Sequence, residues 1–274
     1  MQPKIRISIV TPVYNASQFI GPCIVNVMSQ ACNYIEHLII DGGSSDDTVE
    51  IIRSYATKFP HIRWVSEKDR GQSDAINKGI IMAQGGIVSV LNADDFYERG
   101  AIKFALTEFA HLPEPSLLVG NCNVWNDEKI LWVNKPAQLD LRKLLTGNEK
   151  SYPFPVNPSA YFYHKSLHDI IGYYDTRLHY EMDLDFIIKA LPNSYAKYVD
   201  ITLGNFRYLA GTKTFEGAKS GAGAARLDKL IKENRDKLPW RDWVYVATLM
   251  QALKIRQRLN QCASRVGQGF FNTL

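Results

Sequence analysis

The chain has 274 residues, 46% hydrophobic and 22% charged, with a net charge of +4. That composition excludes a disordered polymer, and no charge-free apolar run approaches the roughly 18 residues that a membrane span needs. The charge is uneven: from Lys219 onward 11 Lys/Arg stand against 4 Asp/Glu, whereas the first 218 residues carry 21 against 24. The body is therefore not a nucleic-acid-binding surface, and basic character is confined to the tail. Cys23, Cys32, Cys122 and Cys262 lack metal-ligand spacing, and Met1 to Arg6 lacks a signal-peptide pattern. A reduced, cytoplasmic protein is expected.

Ile5 to Val10 reads as a strand stopped by Thr11-Pro12, and Asn15-Ala16-Ser17 offers caps for a helix to about Ser29. Glu36 to Ile40 is a second strand, ending at Asp41-Gly42-Gly43-Ser44-Ser45. Ser45 or Asp46 would cap a helix striped by Val49, Ile52 and Tyr55. Ile62 to Ser66 is a third strand, and Ser73 would cap a helix carrying Ala75, Ile76, Gly79, Ile80 and Ala83. A fourth strand follows Gly85-Gly86, and a helix runs from about Gly100 to His111. Strand and helix alternate, which predicts βαβ units and a mainly parallel sheet. Such a sheet gathers all four strand carboxyl ends on one edge, where α/β proteins bind ligands.

That edge collects Thr11-Pro12-Val13-Tyr14-Asn15, the Asp41 turn, Glu67-Lys68-Asp69-Arg70-Gly71 and Asn92-Ala93-Asp94-Asp95. Adjacent aspartates at a strand end repel one another. A divalent cation that also touches phosphate oxygens would relieve them, and a solvated Asp-Asp turn is the alternative.

Beyond Asn121 the alternation is lost. Residues 121 to 133 read as a hairpin, Tyr152 to Pro158 as a Pro-rich loop, and Ser166 to Ile171 as a helix ended by Gly172. The stretch Leu178-His179-Tyr180-Glu181-Met182-Asp183-Leu184-Asp185 opens another helix, in which Asp183 is either a favourable charge at the helix N-terminus or a base facing the crevice. Gly217 to Ala225 reads as a linker or a lid, Leu227 to Leu238 as a charged helix, and Trp240 to Leu259 as a Trp-rich basic amphipathic helix. That last helix suits either docking on the body, through a stripe of Trp243, Val246, Ala247, Met250 and Leu253, or an anionic membrane surface.

Taken together, these motifs resemble the inverting GT-A nucleotide-sugar glycosyltransferases of family two, over roughly residues 5 to 215. The resemblance implies a GT-A (Rossmann-like) α/β fold, mainly parallel and flanked by helices. Its nucleotide-sugar half would span about 1–115 and an acceptor-side α+β half about 116–216, followed by a helical tail over 217–274. It also implies roles. Thr11, Pro12, Tyr14 and Asn15 would line the nucleotide, and Asp41 would bind its base or ribose. Asp69, Arg70, Asp74 and, one helical turn on, Asn77 would border the donor, as would Asn92 and Ala93. Asp94 and Asp95 would hold manganese or magnesium, with Asp94 also against the nucleotide. Asp183 would be the catalytic base, and Glu181, His179, Arg207 and Lys213 would serve the acceptor or the diphosphate. Asn92 stands where the family often has aspartate, and Leu209 where many members carry histidine.

The implied partners are a nucleoside-diphosphate sugar, by resemblance a UDP-sugar, and a glycan or lipid-linked acceptor, with no nucleic acid and with peripheral membrane contact through the tail as an option. The rivals are a sugar-phosphate nucleotidyltransferase, an inactive nucleotide-sugar-binding scaffold and a dinucleotide oxidoreductase. No Gly-x-Gly-x-x-Gly follows any strand, which speaks against the last.

Overall fold

A computed structural model describes residues 6–30, 34–126 and 128–271, with Lys213 and 261–271 described by backbone alone. Four strands, β1 (Ile7–Val13), β2 (Ile35–Asp41), β3 (Ile62–Ser66) and β4 (Ile87–Val90), form a parallel run in the order β3-β2-β1-β4. Helices α1 (Ser17–Ser29), α2 (Thr48–Ala56) and α3 (Gln72–Met82) connect them. After β4 come β5 (Phe96–Tyr97), α4 (Ala101–Phe109), the long β6 (Ser116–Trp125), β7 (Ile130–Asn134), the single-turn α5 (Leu141–Leu144) and β8 (Tyr161–His164). The chain closes with α6 (Leu167–Ile171), α7 (Met182–Ala190), β9 (Tyr195–Arg207), α8 (Lys213–Lys219), α9 (Ala222–Arg235) and α10 (Trp240–Phe271).

The sheet continues past β4 as β8-β6-β9-β5, with β7 hairpinned onto β6. β8 is antiparallel to β4 and β6, while β9 runs parallel to β6. The expected hairpin is present, but β9 was not foreseen: its half-exposed, polar-interrupted sequence hides a strand that only pairing with β6 reveals.

β1 runs through Thr11-Pro12 rather than stopping there. The carbonyl of Val13 accepts from Gly42 on the β2 side, and that of Val10 accepts from Leu91 on the β4 side. Alternation therefore turns Pro12 toward β4, whose pairing with β1 ended at Val90, so its missing N–H breaks no ladder bond. The helix caps also differ from expectation. Asp46 accepts from the N–H of Ser17 and of Thr48, so one carboxylate anchors the starts of both α1 and α2. Ser73 lies inside α3, and its hydroxyl donates to the carbonyl of Leu178.

The core lies on both faces of the sheet. Val10, Leu38, Val88 and Val90 meet α3 and α7 on one face, and Ile7, Ile9 and Ile87 meet α1 and α4 on the other. Leu230 and Ile231 of α9 belong to the first cluster, and Val246 and Leu253 of α10 are buried. The expected flexible stretch at 217–225 is helix for most of its length, broken at Ser220 and Gly221. Its small residues allow close approach: Gly217 and Gly223 pack backbone against backbone. No helix among the described residues is long and apolar enough to cross a membrane.

Candidate active site

The carboxyl edge of the parallel strands gathers the polar turns, as expected, but most of their side chains are spent on one another. Asp41, fully buried at the end of β2, accepts from the N–H groups of Gly43 (3.1 Å) and Ser44 (3.0 Å) and from the hydroxyls of Ser66 (2.6 Å) and Ser44. These bonds shape the turn around it. Thr11 is also fully buried, its hydroxyl 2.8 Å from His37 Nε2, so it does not line the crevice with its side chain. Burial drops the His37 pKa to about 3, with His61 adding to the effect, so the ring stays neutral. Asn77 is corrected likewise: its amide donates to the carbonyl of Tyr174 (2.8 Å) and accepts from the Tyr174 N–H (2.9 Å), tying α3 to the acceptor-side loop.

The other donor-side residues remain at the crevice. Tyr14 is 65% exposed. Asn15 adopts a left-handed conformation (φ 47°) that asparagine tolerates, and it clasps the neighbouring turn through Ser44 and Ser45. Asp69 accepts from the Gly71 N–H at 2.8 Å, and its carboxylate fills the space beside Gly42, where a Cβ would stand 2.5 Å from Oδ2. A Cβ at 42 would have to displace the Asp69 carboxylate. Exposed Arg70 pairs with Asp74 at 2.8 Å, as the first turn of α3 allows.

The two aspartates after β4 have separate fates. Asp95 is 3% exposed and accepts from Asn92 Nδ2 (2.9 Å), Asn157 Nδ2 (2.7 Å) and the Arg207 N–H (3.0 Å). Three donors leave it one open acceptor position. Asp94 accepts from no other described residue, and Arg207 is the cation acting on it. Burial raises the Asp94 pKa, and burial together with the Asp94 charge raises that of Asp95 well above the ordinary carboxylate range. Ala93 between them is buried. Asn92, where aspartate is frequent, is explained by its neighbours: Oδ1 accepts from Gln72 (2.8 Å) while Nδ2 donates to Asp95. An aspartate there would set a third carboxylate against Asp95.

Asp183 comes from far along the chain. β8 is antiparallel to β4, with Val88 opposite Tyr163, which sets Tyr161 beside the last residue of β4. Ser89 donates to the Tyr161 carbonyl at 2.9 Å. The Tyr161 hydroxyl in turn donates to Asp183 Oδ1 at 3.3 Å. This bond sets Asp183, in the first turn of α7, against Tyr161 of the strand paired with β4. Glu181 precedes α7 and is buried, and exposed His179 lies against Gly71, joining the α7 loop to the donor-side turn. The Arg207 guanidinium stacks over Phe96 at 5.3 Å. The Lys213 side chain lies outside the described residues.

Comparison with known proteins agrees with this geometry. The family model for Glycosyl transferase family 2 matches residues 8–169. The chain belongs to glycosyl transferase family 2.

It is 34% identical over 103 residues to an Escherichia coli chondroitin synthase, which covers 38% of this chain and only 15% of that protein. A Mycobacterium tuberculosis PGL/p-HBAD biosynthesis glycosyltransferase is 26% identical over 207 residues, 74% of this chain and 77% of the relative. Among solved structures, Staphylococcus aureus TarS in complex with UDP-GlcNAc superposes with a TM-score of 0.69 at 16% identity, covering 90% of this chain and 70% of that one. The mannosyltransferase PcManGT of Pyrobaculum calidifontis, in complex with GDP-Man and Mn²⁺, gives 0.58 at 17% identity, covering 94% and 79%. These likenesses establish the GT-A type of mixed α/β fold.

For a family 2 enzyme the donor set after β4 can be tested against a cation. No group of three or more His, Cys, Asp or Glu among the described residues is disposed to hold one. Asp94 and the open position of Asp95 nevertheless fit a magnesium-type ion, which needs only one or two carboxylates beside substrate phosphates. Sequence reasoning missed Asn157, Tyr161 and Gln72, which orient these carboxylates. Asn157, a polar residue inside a run of prolines, carried the one legible signal.

Proposed function

We propose that the chain is an inverting glycosyltransferase that moves a sugar from a UDP-sugar to a hydroxyl of a glycan or lipid-linked acceptor in surface polysaccharide biosynthesis, at the cytoplasmic side of the membrane. The observation that supports this reading is that Asp94 follows β4 while Asp183 is bonded to Tyr161 of β8, the strand paired with β4. The TarS complex with UDP-GlcNAc supports the choice of uridine.

In this reading Tyr14, Asp69, Arg70 and Asp74 border the nucleotide. Asp183 accepts the proton of the acceptor hydroxyl as that oxygen attacks the anomeric carbon. The bond from that carbon to the diphosphate oxygen breaks on the opposite face, and the nucleoside diphosphate departs. Asp94, aided by Asp95, would hold a divalent cation, which supplies charge neutralisation for the leaving diphosphate. Arg207 adds a fixed positive charge nearby. The exposed side of α10 carries Trp240, Val244, Ile255 and Leu259 with Arg241, Lys254 and Arg258, a composition suited to a peripheral contact with anionic lipid.

The test is calorimetric titration of UDP, GDP, CDP and ADP, each with and without manganese, on the wild type and on Asp94→Asn. Metal-dependent binding of UDP that the variant loses supports the donor site. Binding indifferent to metal and to the substitution overturns it in favour of a scaffold, and preference for GDP corrects the base.

A further inference from the structure

The edge strand β7 pairs with β6 alone, so its outer side meets no other described strand. Its residues Ile130, Leu131, Trp132 and Val133 are all apolar and 40–49% exposed. Successive side chains of a strand point to opposite faces, so β7 offers apolar surface on both. Edge strands that stay unpaired are blunted by charge or proline within the strand. Here the charges, Glu128, Lys129 and Lys135, and the proline, Pro136, stand outside it. The register shows which main-chain groups are open. The Asn126 N–H donates to the Lys129 carbonyl. Bonded and non-bonded pairs alternate along an antiparallel ladder, so Ile130, opposite Trp125, turns its N–H and C=O away from β6. Val124 pairs with Trp132, which leaves Leu131 as the extra residue of a bulge and resumes the alternation one position later. Val133, opposite Asn123, is then the next to point its main chain outward.

A second copy of the same strand, running antiparallel, matches this edge. With Ile130 of each copy opposite Val133 of the other, each pair exchanges both of its N–H···O bonds, and the two-fold axis sets bulge against bulge. The charges then fall in complementary places. Lys129 faces Asn134, and the exposed Glu128 of each copy comes to Lys135 of the other. Lys135 already pairs with Asp200 at 2.9 Å, and its ammonium keeps further donors for a second carboxylate. A register that set Trp132 against Trp132 would oppose Lys129 to Lys135. We infer that two copies of this chain join edge to edge through β7, with Ile130 and Val133 in reciprocal main-chain bonds and Glu128–Lys135 ion pairs at both ends. The pairing does not depend on the assignment of a base or a donor.

The test is disulfide trapping of the full chain. Ile130→Cys and Val133→Cys proteins, mixed and oxidised with copper phenanthroline, should give a cross-linked heterodimer above the wild-type background. A bonded antiparallel pair brings Cα atoms to about 5.5 Å, within disulfide reach. Either variant alone should cross-link about ten-fold less, because its own cysteines lie too far apart across the axis. Sedimentation velocity of the unmodified chain should show a dimer that grows with concentration. Val133→Lys, which sets a charge opposite Ile130 in each half, should weaken it about ten-fold or more. Glu128→Lys, a change in the exposed turn with little risk to folding, should weaken it about five-fold at low salt and less at high salt. A chain monomeric at every concentration, equal trapping of each cysteine variant alone, or a dimer indifferent to both charge substitutions would overturn the inference. Should Val133→Lys fail to fold, trapping and Glu128→Lys decide it.

Discussion

The two ends of the parallel strands are built from the same residue types and behave in opposite ways. At the amino end, Glu36 is fully buried and accepts from Ser8 (2.6 Å), Arg63 (2.7 Å) and the N–H groups of Gln84 (2.5 Å) and Gly85 (3.3 Å). At the carboxyl end, Asp94 and Asp183 are only partly buried, while Asp41 and Asp95 bond the turns around them. A carboxylate closed in by donors contributes stability, whereas Asp94, which accepts from no other described residue, is available for chemistry. The catalytic edge therefore contains both kinds, one supporting the other.

That contrast can be broken by substitution. The largest effect is expected from Asp183→Asn, which should lower the transfer rate by about 10²–10⁴ while the melting temperature and UDP affinity hold. A variant that keeps full activity would remove Asp183 from the reaction. Next comes Glu36→Ala at the closed end. It strands buried donors and should cost roughly 3 kcal/mol of stability, a fall of about 6 °C or more in Tm, with donor KM unchanged in the folded fraction. Within the crevice, Asp95→Ala should cost about 2 kcal/mol by orphaning the amides of Asn92 and Asn157 and the Arg207 N–H. Asp94→Ala should hold its Tm and lose metal-dependent nucleotide binding. Equal denaturation midpoints for the two would erase the distinction between them.

A pH series sharpens the same comparison. Burial raises the pKa of Asp94 and, with the Asp94 charge, that of Asp95 further still, so the folded chain holds its protons to higher pH than the unfolded chain. The stability of the free protein should therefore gain from this pair as pH falls from neutral toward the ordinary carboxylate pKa. Relative to Asp94→Asn, the wild type should gain stability over that interval, measured by denaturant unfolding, while metal-dependent nucleotide binding weakens. The smallest effect belongs to Arg70→Ala. Its pair with Asp74 is an exposed helix-surface contact, and its loss should change stability by less than about 0.5 kcal/mol, so any rise in donor KM reports nucleotide contact.

The alternation of strands and helices, the edge on which the polar turns meet, the place of the aspartates after β4 and the start of α7 were legible in the sequence. Each is local: hydrophobic period and turn chemistry act over a few residues. What the tertiary structure alone decided was which carboxylates are spent on the turns. Asp41 and Asp95 look as reactive on paper as Asp94, and they differ only because Ser66, Asn157 and Arg207 arrive from elsewhere in the chain to bond them. The position of Asp183 depends on Tyr161 pairing into the sheet beside β4, and residues 217–225, whose small side chains suggested a linker or a lid, are taken up by the end of α8 and the start of α9. Hydrogen-bond satisfaction is a property of partners brought together by folding, and neither composition nor spacing encodes it.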